Sequence, residues 1–537
     1  MRDVVTGAAR RTAYESAGWW DGTTLPARVA GHAARSPGSV AVVDAAGRHD
    51  FAALWRDARA VARHLREAGV GPGDVVSVQL PNRYEAVAAA VAVLEVGAVL
   101  NPLLPNYRHR ELGYVVATAR PAAIFTPGTY RGFDHLALVA DVREATGTAA
   151  HHVVVGDTGG DAGWTEIVEG GDEQSPGAAT GRRSDAVSEL IFTSGTEANP
   201  KAVMHTEQTT NFSARAAYDA LGLGPDDVVW MPSPVGHSTG FNYGVRFALY
   251  HRLPLVLQDV WDPAEAVELI RRERCTYTLA ATTFLQDVVA HAASSGIRLD
   301  TMRYFGCGGA PVPAELVDAA ADGGIDVMRL YGSTEVLVAT WNRPDSPPDK
   351  KRRTDGRALD HVDIETRDDD GRRCPAGEPG ELYVRGPDAS VGFFADPART
   401  DATFGQDGWV RSGDLVTIDE DGYVTVVGRK KEIIIRGGIN IAPREIEDLL
   451  VSFPDIERAA VVGLPDPRLG ERSCACVVLA PGATLDLPTV VGRLKASGLA
   501  TYKLPERLEV LDALPATASG KIQKHEIIRR LTEDDGR

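Results

Sequence analysis

Leu190-Ile191-Phe192-Thr193-Ser194-Gly195-Thr196-Glu197-Ala198-Asn199-Pro200-Lys201-Ala202-Val203 runs apolar residues straight into a cluster of small hydroxyls around one glycine. Presented after a strand, such hydroxyls and backbone N–H groups make a concavity that holds an anion, phosphate above all. Lys201 adds a positive charge six residues after Gly195, and it is the first of only nine lysines among 57 basic residues. This is not the Walker loop, which has a second glycine directly before its lysine. Taken alone, a Ser/Thr/Gly/Pro cluster reads equally as a surface turn, so the surrounding chain has to decide.

Upstream, residues 50–69 repeat apolar positions at helical spacing, with Asp50 placed as an N-cap. Gly71-Pro72-Gly73-Asp74 makes a turn, and Val75 to Leu80 reads as a buried strand. A helix from Glu85 to Val96 and a strand over residues 98–100 follow, and the alternation continues through residues 123–125 and 152–155. That pattern predicts an α/β fold with largely parallel, covered sheets. Residues 170–185 form a polar loop, after which Leu190 to Phe192 delivers the opening motif at the end of a strand, where open α/β sheets bind ligands.

A chain of 537 residues, 44% apolar and 24% charged, is an ordinary globular composition that exceeds one core, so two or more domains are expected. The apolar run from Ala86 to Leu94 stops at Glu95, too short to span a bilayer, and Met1 to Arg11 lacks a signal-peptide core. A cytoplasmic protein without membrane attachment is expected. The formal charge of −17 argues against nucleic acid as a partner. Five cysteines, at 275, 307, 374, 474 and 476, show no metal-ligand spacing and read as reduced thiols.

Downstream, several further stretches carry chemistry. Residues 228–241 place Gly236-His237-Ser238-Thr239-Gly240 after a short strand. Phe305-Gly306-Cys307-Gly308-Gly309-Ala310-Pro311 is a glycine run that allows close backbone approach to a flat ligand. Tyr331-Gly332-Ser333-Thr334-Glu335 sets an aromatic face, two hydroxyls and a carboxylate within five residues, the groups that stack a base, bond a phosphate and hold Mg²⁺. Asp414 follows a turn, Arg429 ends a strand-like run, and Lys521 sits in a flexible Thr-Ala-Ser-Gly-Lys loop.

In this order the motifs resemble the adenylate-forming superfamily of acyl-CoA synthetases, peptide-synthetase adenylation domains and firefly luciferase, from about residue 25 to about residue 530. Within it, residues 233–241 are most similar to ligases of alicyclic acids such as cyclohexanecarboxylate. The resemblance implies a large N-terminal multi-sheet α/β domain over residues 1–430 and a small, mobile C-terminal α+β domain over 431–537, hinged at Lys431. The C-terminal pattern agrees: Pro443 with Glu445 and Glu447 suits a helix start, and runs at 459–462, 474–479 and 487–496 complete a small α/β unit.

The implied reaction joins a carboxylate to ATP, giving an acyl-adenylate, and then passes the acyl group to CoA. The implied nucleotide residues are Thr193, Ser194, Gly195, Thr196 and Lys201 for phosphate, Gly308 to Pro311 with Tyr331 and Gly332 for adenine, and Asp414 with Arg429 for ribose. Thr334 binds the α-phosphate, Glu335 holds Mg²⁺, and Lys521 bridges carboxylate and α-phosphate. His237 caps an acyl pocket in which Gly240, Gly244 and Gly306 leave room for a bulky, apolar acid, and Gly437 and Gly438 line the CoA channel. Relatives are often homodimers.

The opening loop departs from the family pattern of Thr-Gly, any residue, Pro-Lys-Gly. Here Glu197 replaces a hydroxyl, and Ala198 and Ala202 replace glycines. One extra like charge at ~4–6 Å from phosphate costs on the order of 3–4 kcal/mol at an effective dielectric of ~20. Two readings follow: a complete ligase, or an enzyme that performs only the CoA step on an acyl-adenylate made by a separate adenylating enzyme. Loading a carrier protein in trans is a third, and a non-catalytic adenylate-binding protein a fourth.

Overall fold

The computed structural model describes residues 6–156, 159–170, 184–193, 200–310, 312–436, 439–466, 468–497, 499, 501–517 and 521–535. Helix Phe51–Glu67 begins where the sequence places its cap: the Asp50 carboxylate accepts from the Ala53 N–H at 2.8 Å, a contact contributing about 1 kcal/mol. Strand Val75–Val78 is buried at every residue and pairs in parallel with Val99–Pro102 and Ala123–Pro127. These strands lie in a seven-stranded sheet ordered Lys201–Thr206, Val187–Thr193, Val99–Pro102, Val75–Val78, Ala123–Pro127, His151–Val155, Ala162–Gly163. It is parallel except for the outer pair, where Lys201–Thr206 runs antiparallel to Val187–Thr193 and sets Lys201 opposite Thr193.

A nine-stranded sheet forms the second layer, its middle built from parallel strands Val229–Met231, Tyr277–Ala280, Tyr304–Gly308 and Asp326–Ser333. Helix Tyr84–Val96 packs against strands of both sheets. It is apolar all round, as a helix between two layers must be, and its one acid in the second half, Glu95, is met by Arg66. Gly97, at φ +87, ends it in a left-handed cap.

Antiparallel strands Asp363–Arg367, Gly380–Arg385, Val410–Ile418 and Val424–Arg429 make a third sheet, in which Asp414 lies opposite Arg429. Past the short turn Lys430–Glu432 the chain enters a five-stranded sheet of Ile434–Arg436, Ile439–Ile441, Ile456–Asp466, Gly470–Leu479 and Arg507–Val510, covered by helices Pro443–Val451, Leu487–Ala496 and Lys524–Asp535. Its apolar clusters share no residue with those of the preceding sheets. The architecture is therefore a large multi-sheet α/β body followed by a small α+β one.

Candidate active site

The ends of strands Val187–Thr193, Tyr304–Gly308 and Asp326–Ser333 open on one cavity of about 360 Å³. Thr193, Lys201, Gly308, Gly309 and Ala310 line it, as do Gly332, Thr334 and Glu335. Asp414, Arg429 and Lys431 arrive from the third sheet and the turn after it, and Lys521 from the C-terminal body. Residues spread over more than 300 positions thus face one space. Of the expected site residues, Ser194, Gly195, Thr196, Pro311, Gly437 and Gly438 lie outside the described residues, as do Glu197 and Ala198.

At one end of the cavity, register pairs Asp414 with Arg429, and the Arg429 Nε lies 3.0 Å from Asp414 Oδ1. Tyr331 donates its hydroxyl to Asp414 Oδ2 at 2.7 Å. The ring is buried, and this bond couples it to Asp414. Burial first and Asp414 second push its phenol well above the usual range, which keeps it a donor. Gly309, at φ +78, turns the backbone as only glycine does freely, and a Cβ at Gly308 would meet the Leu330 carbonyl at 2.5 Å.

Thr334, Glu335 and Val336 form the tight turn between strands Asp326–Ser333 and Leu337–Trp341. Leu337 closes it at φ +50, a costly conformation for a bulky residue. A Cβ at Gly332 would overlap the Leu337 carbonyl, so glycine is needed there. Glu335 pairs with Lys201. Burial alone would raise its pKa, but the Lys201 ammonium holds the Glu335 carboxyl below its ordinary range. Lys521 is pushed down to about 8, mainly by burial and by Arg429, against the pull of Asp414 and Glu432.

The other end of the cavity is apolar, lined by Leu279, Ala281, Phe284, Leu337 and Val338, with the Tyr243 ring and His237 at its sides. His237 Nδ1 accepts from the Thr239 N–H at 3.2 Å. Burial, then Lys521, lowers the ring to about 4, so it is neutral near pH 7. The expected space-making glycines lie elsewhere. A Cβ at Gly240 would overlap the Pro234 carbonyl, one at Gly244 would lie 2.6 Å from Met231 Cγ, and one at Gly306 would lie 2.8 Å from the Trp341 ring. None lines the cavity. They are packing glycines, and the pocket is shaped by other residues.

Ala202 likewise lies apart from the cavity. It sits in the strand pair opposite Phe192, and its methyl belongs to a core with Met204 and Val391. Its replacement of glycine fills a core and does not crowd the cavity.

Sequence reading missed three features. His205 is fully buried, with Nε2 2.7 Å from the Thr334 carbonyl. Lys201 and His205 alternate onto one face of a strand, a signal open to reading. Tyr243 lies in a π-helix, Phe241–Arg246, its hydroxyl 2.7 Å from both Ser213 Oγ and the Val338 N–H. Arg246, fully buried, ends this helix between Glu207 at 2.6 Å and Glu189 at 3.1 Å. Neither partner is foreseeable from local pattern.

Comparison with known proteins agrees with this geometry. The family model for AMP-binding enzymes matches residues 29–394, and that for the AMP-binding enzyme C-terminal domain matches residues 445–521. The chain is 36% identical over 534 residues to the medium-chain fatty-acid–CoA ligase of Escherichia coli (strain K12), covering 98% of this chain and 94% of that one. It is 35% identical over 525 residues to the 2-hydroxy-7-methoxy-5-methyl-1-naphthoate–CoA ligase of Streptomyces carzinostaticus, covering 95% and 94%. The ATP-bound structure of MatB from Rhodopseudomonas palustris superposes with a TM-score of 0.86 at 29% identity, covering 96% of this chain and 100% of that one. With both family models matched in order and a cavity that gathers their motifs, the chain belongs to the AMP-binding enzyme family and is an AMP-forming acid–thiol ligase.

Proposed function

We propose that this enzyme converts a bulky, apolar carboxylic acid to its CoA thioester through both half-reactions. In the first, the acid's carboxylate oxygen attacks the α-phosphorus of ATP and the bond to the β-phosphate breaks, releasing pyrophosphate. In the second, the CoA thiolate attacks the acyl carbonyl and AMP leaves. Asp414 would accept from the ribose hydroxyls, with Arg429 fixing its orientation. The Thr334 hydroxyl would meet the α-phosphate, and Lys521 would neutralise charge between carboxylate and phosphate. The observation that carries this reading is Lys521 in the same cavity as Thr334, Asp414 and Arg429.

Glu335, a single carboxylate beside a phosphate site, fits Mg²⁺, which takes one or two carboxylates plus phosphate oxygens. When bound, the ion supplies charge neutralisation at the phosphates. The apolar wall of Leu279, Phe284 and Val338 supports an apolar acid. Relatives named for a medium-chain fatty acid and for a substituted naphthoate support an apolar acid. A cyclic acid is the finer form of this proposal.

The second reading, a CoA step alone fed by a separate adenylating enzyme, rested on Glu197, Ala198 and Ala202. With the Ala202 methyl in a core, it keeps only the first two. Two reactions read by mass spectrometry separate the readings: enzyme with CoA and a synthetic cyclic acyl-adenylate, and enzyme with CoA, Mg-ATP and free acid. Acyl-CoA from both is expected. Product from the adenylate alone would establish the second reading, with Glu197→Thr/Ala198→Gly then expected to raise pyrophosphate release. Product from neither, but acyl transfer to a carrier protein in a third reaction, would assign a different acceptor.

A further inference from the structure

The turn that bears Thr334 and Glu335 is held in an unfavourable shape. Leu337 closes it at φ +50, and Gly332 leaves no slack beneath it. Three outside groups grip it: Lys201 takes the Glu335 carboxylate, the Ser390 N–H donates to the Glu335 carbonyl at 2.7 Å, and His205 Nε2 lies 2.7 Å from the Thr334 carbonyl. A carbonyl only accepts, so the imidazole proton sits on Nε2 and Nδ1 faces the Thr209 hydroxyl at 3.1 Å. Burial lowers the His205 ring to about 4, so this tautomer stays neutral.

One of these grips cannot persist through the reaction. Phosphates entering beside Lys201 compete for its ammonium, and Glu335 then exchanges its partner. Of the three outside grips the two backbone ties then remain, and His205 is the one that comes from a side chain. Lys201 and His205 stand on the same strand, Lys201–Thr206, so the strand that releases the carboxylate also retains the peptide.

We propose that His205 is a positioning residue for acyl-adenylate formation, fixing the Thr334 peptide and with it the aim of the Thr334 hydroxyl and the Glu335 carboxylate. The proposal rests on the roles given to those two residues above.

Full-length enzyme is compared as wild type, His205→Leu, His205→Gln and His205→Asn, with pyrophosphate release measured against Mg-ATP and against acid. His205→Leu is expected to lower kcat about tenfold, equivalent to ~1.4 kcal/mol, with KM for the acid changed by no more than about twofold. The Gln amide stands where Nε2 stands and should restore most of the rate. The Asn amide, matching Nδ1 instead, should not. Wild-type kcat in folded His205→Leu, or Gln and Asn acting alike, overturns the proposal. The Gln–Asn comparison decides alone if the Leu variant does not fold. A wild-type enzyme that thioesterifies a supplied adenylate but releases no pyrophosphate brings down the adenylation reading, and this proposal with it.

Discussion

Lys521 is an ammonium held close to neutrality. Burial first, then Arg429 and more weakly Lys201, pushes it down to about 8. In the proposed adenylation Lys521 acts in its charged form, so the proton lost as pH rises through about 8 would remove the charge that step uses. Since kcat/KM reports the free enzyme, kcat/KM for ATP is expected to fall above that pH in a pH–rate profile. Lys521→Ala should slow pyrophosphate release by about 10²–10³-fold and erase this alkaline limb, while acyl transfer from a supplied adenylate continues. His237, lowered to about 4, should contribute no limb between pH 5 and 7; a limb there that His237→Gln removes would contradict its neutral state. Lys521 and Asp414 were picked out only by the order of motifs around them, since a loop lysine or a turn aspartate alone reads as solvated surface; the fold brings both to one cavity. Tyr331 was legible as a site residue only. That its hydroxyl bonds to Asp414, 83 positions further along the chain, depends on the fold.

Helices and strands were legible wherever apolar spacing was regular. Phe51–Glu67 and Val75–Val78 begin within a residue of their expected positions because Asp50 and the Gly71–Asp74 turn punctuate the chain. The π-helix Phe241–Arg246 was not legible, since its buried polar face looks unfavourable until Glu189 and Glu207 are brought beside it. Removing one partner of a buried ion pair costs ~3–5 kcal/mol. Arg246→Met should therefore lower the melting midpoint by calorimetry far more than loss of an exposed arginine such as Arg372. Gly240→Ala should also destabilise, by about 1–3 kcal/mol, because its methyl would overlap the Pro234 carbonyl. Unchanged stability in that variant would return Gly240 to the role of a space-maker.

Across the whole molecule, the order of strands was the least legible feature. Val42 pairs with Leu255, and no local pattern specifies a partner so far along the chain. The division into a large and a small body was legible through the resemblance, with the helix start at Pro443 agreeing. Lys430 is bonded to Glu381 of the third sheet at 3.2 Å, whereas Glu432 is bonded to Lys524 of the C-terminal body at 3.0 Å. If the small body must turn about Lys431 between half-reactions, Lys431→Pro, which fixes φ near −65°, should spare pyrophosphate release and abolish acyl-CoA formation. Equal loss of both would remove the hinge from this position. The buried Arg246 pairs carry a thermal consequence. Withdrawing charges from water costs less as temperature rises, whereas the gain from apolar burial levels off. On warming, the wall that bears Tyr243 thus firms relative to the apolar clusters around it, which amide exchange at rising temperature would register.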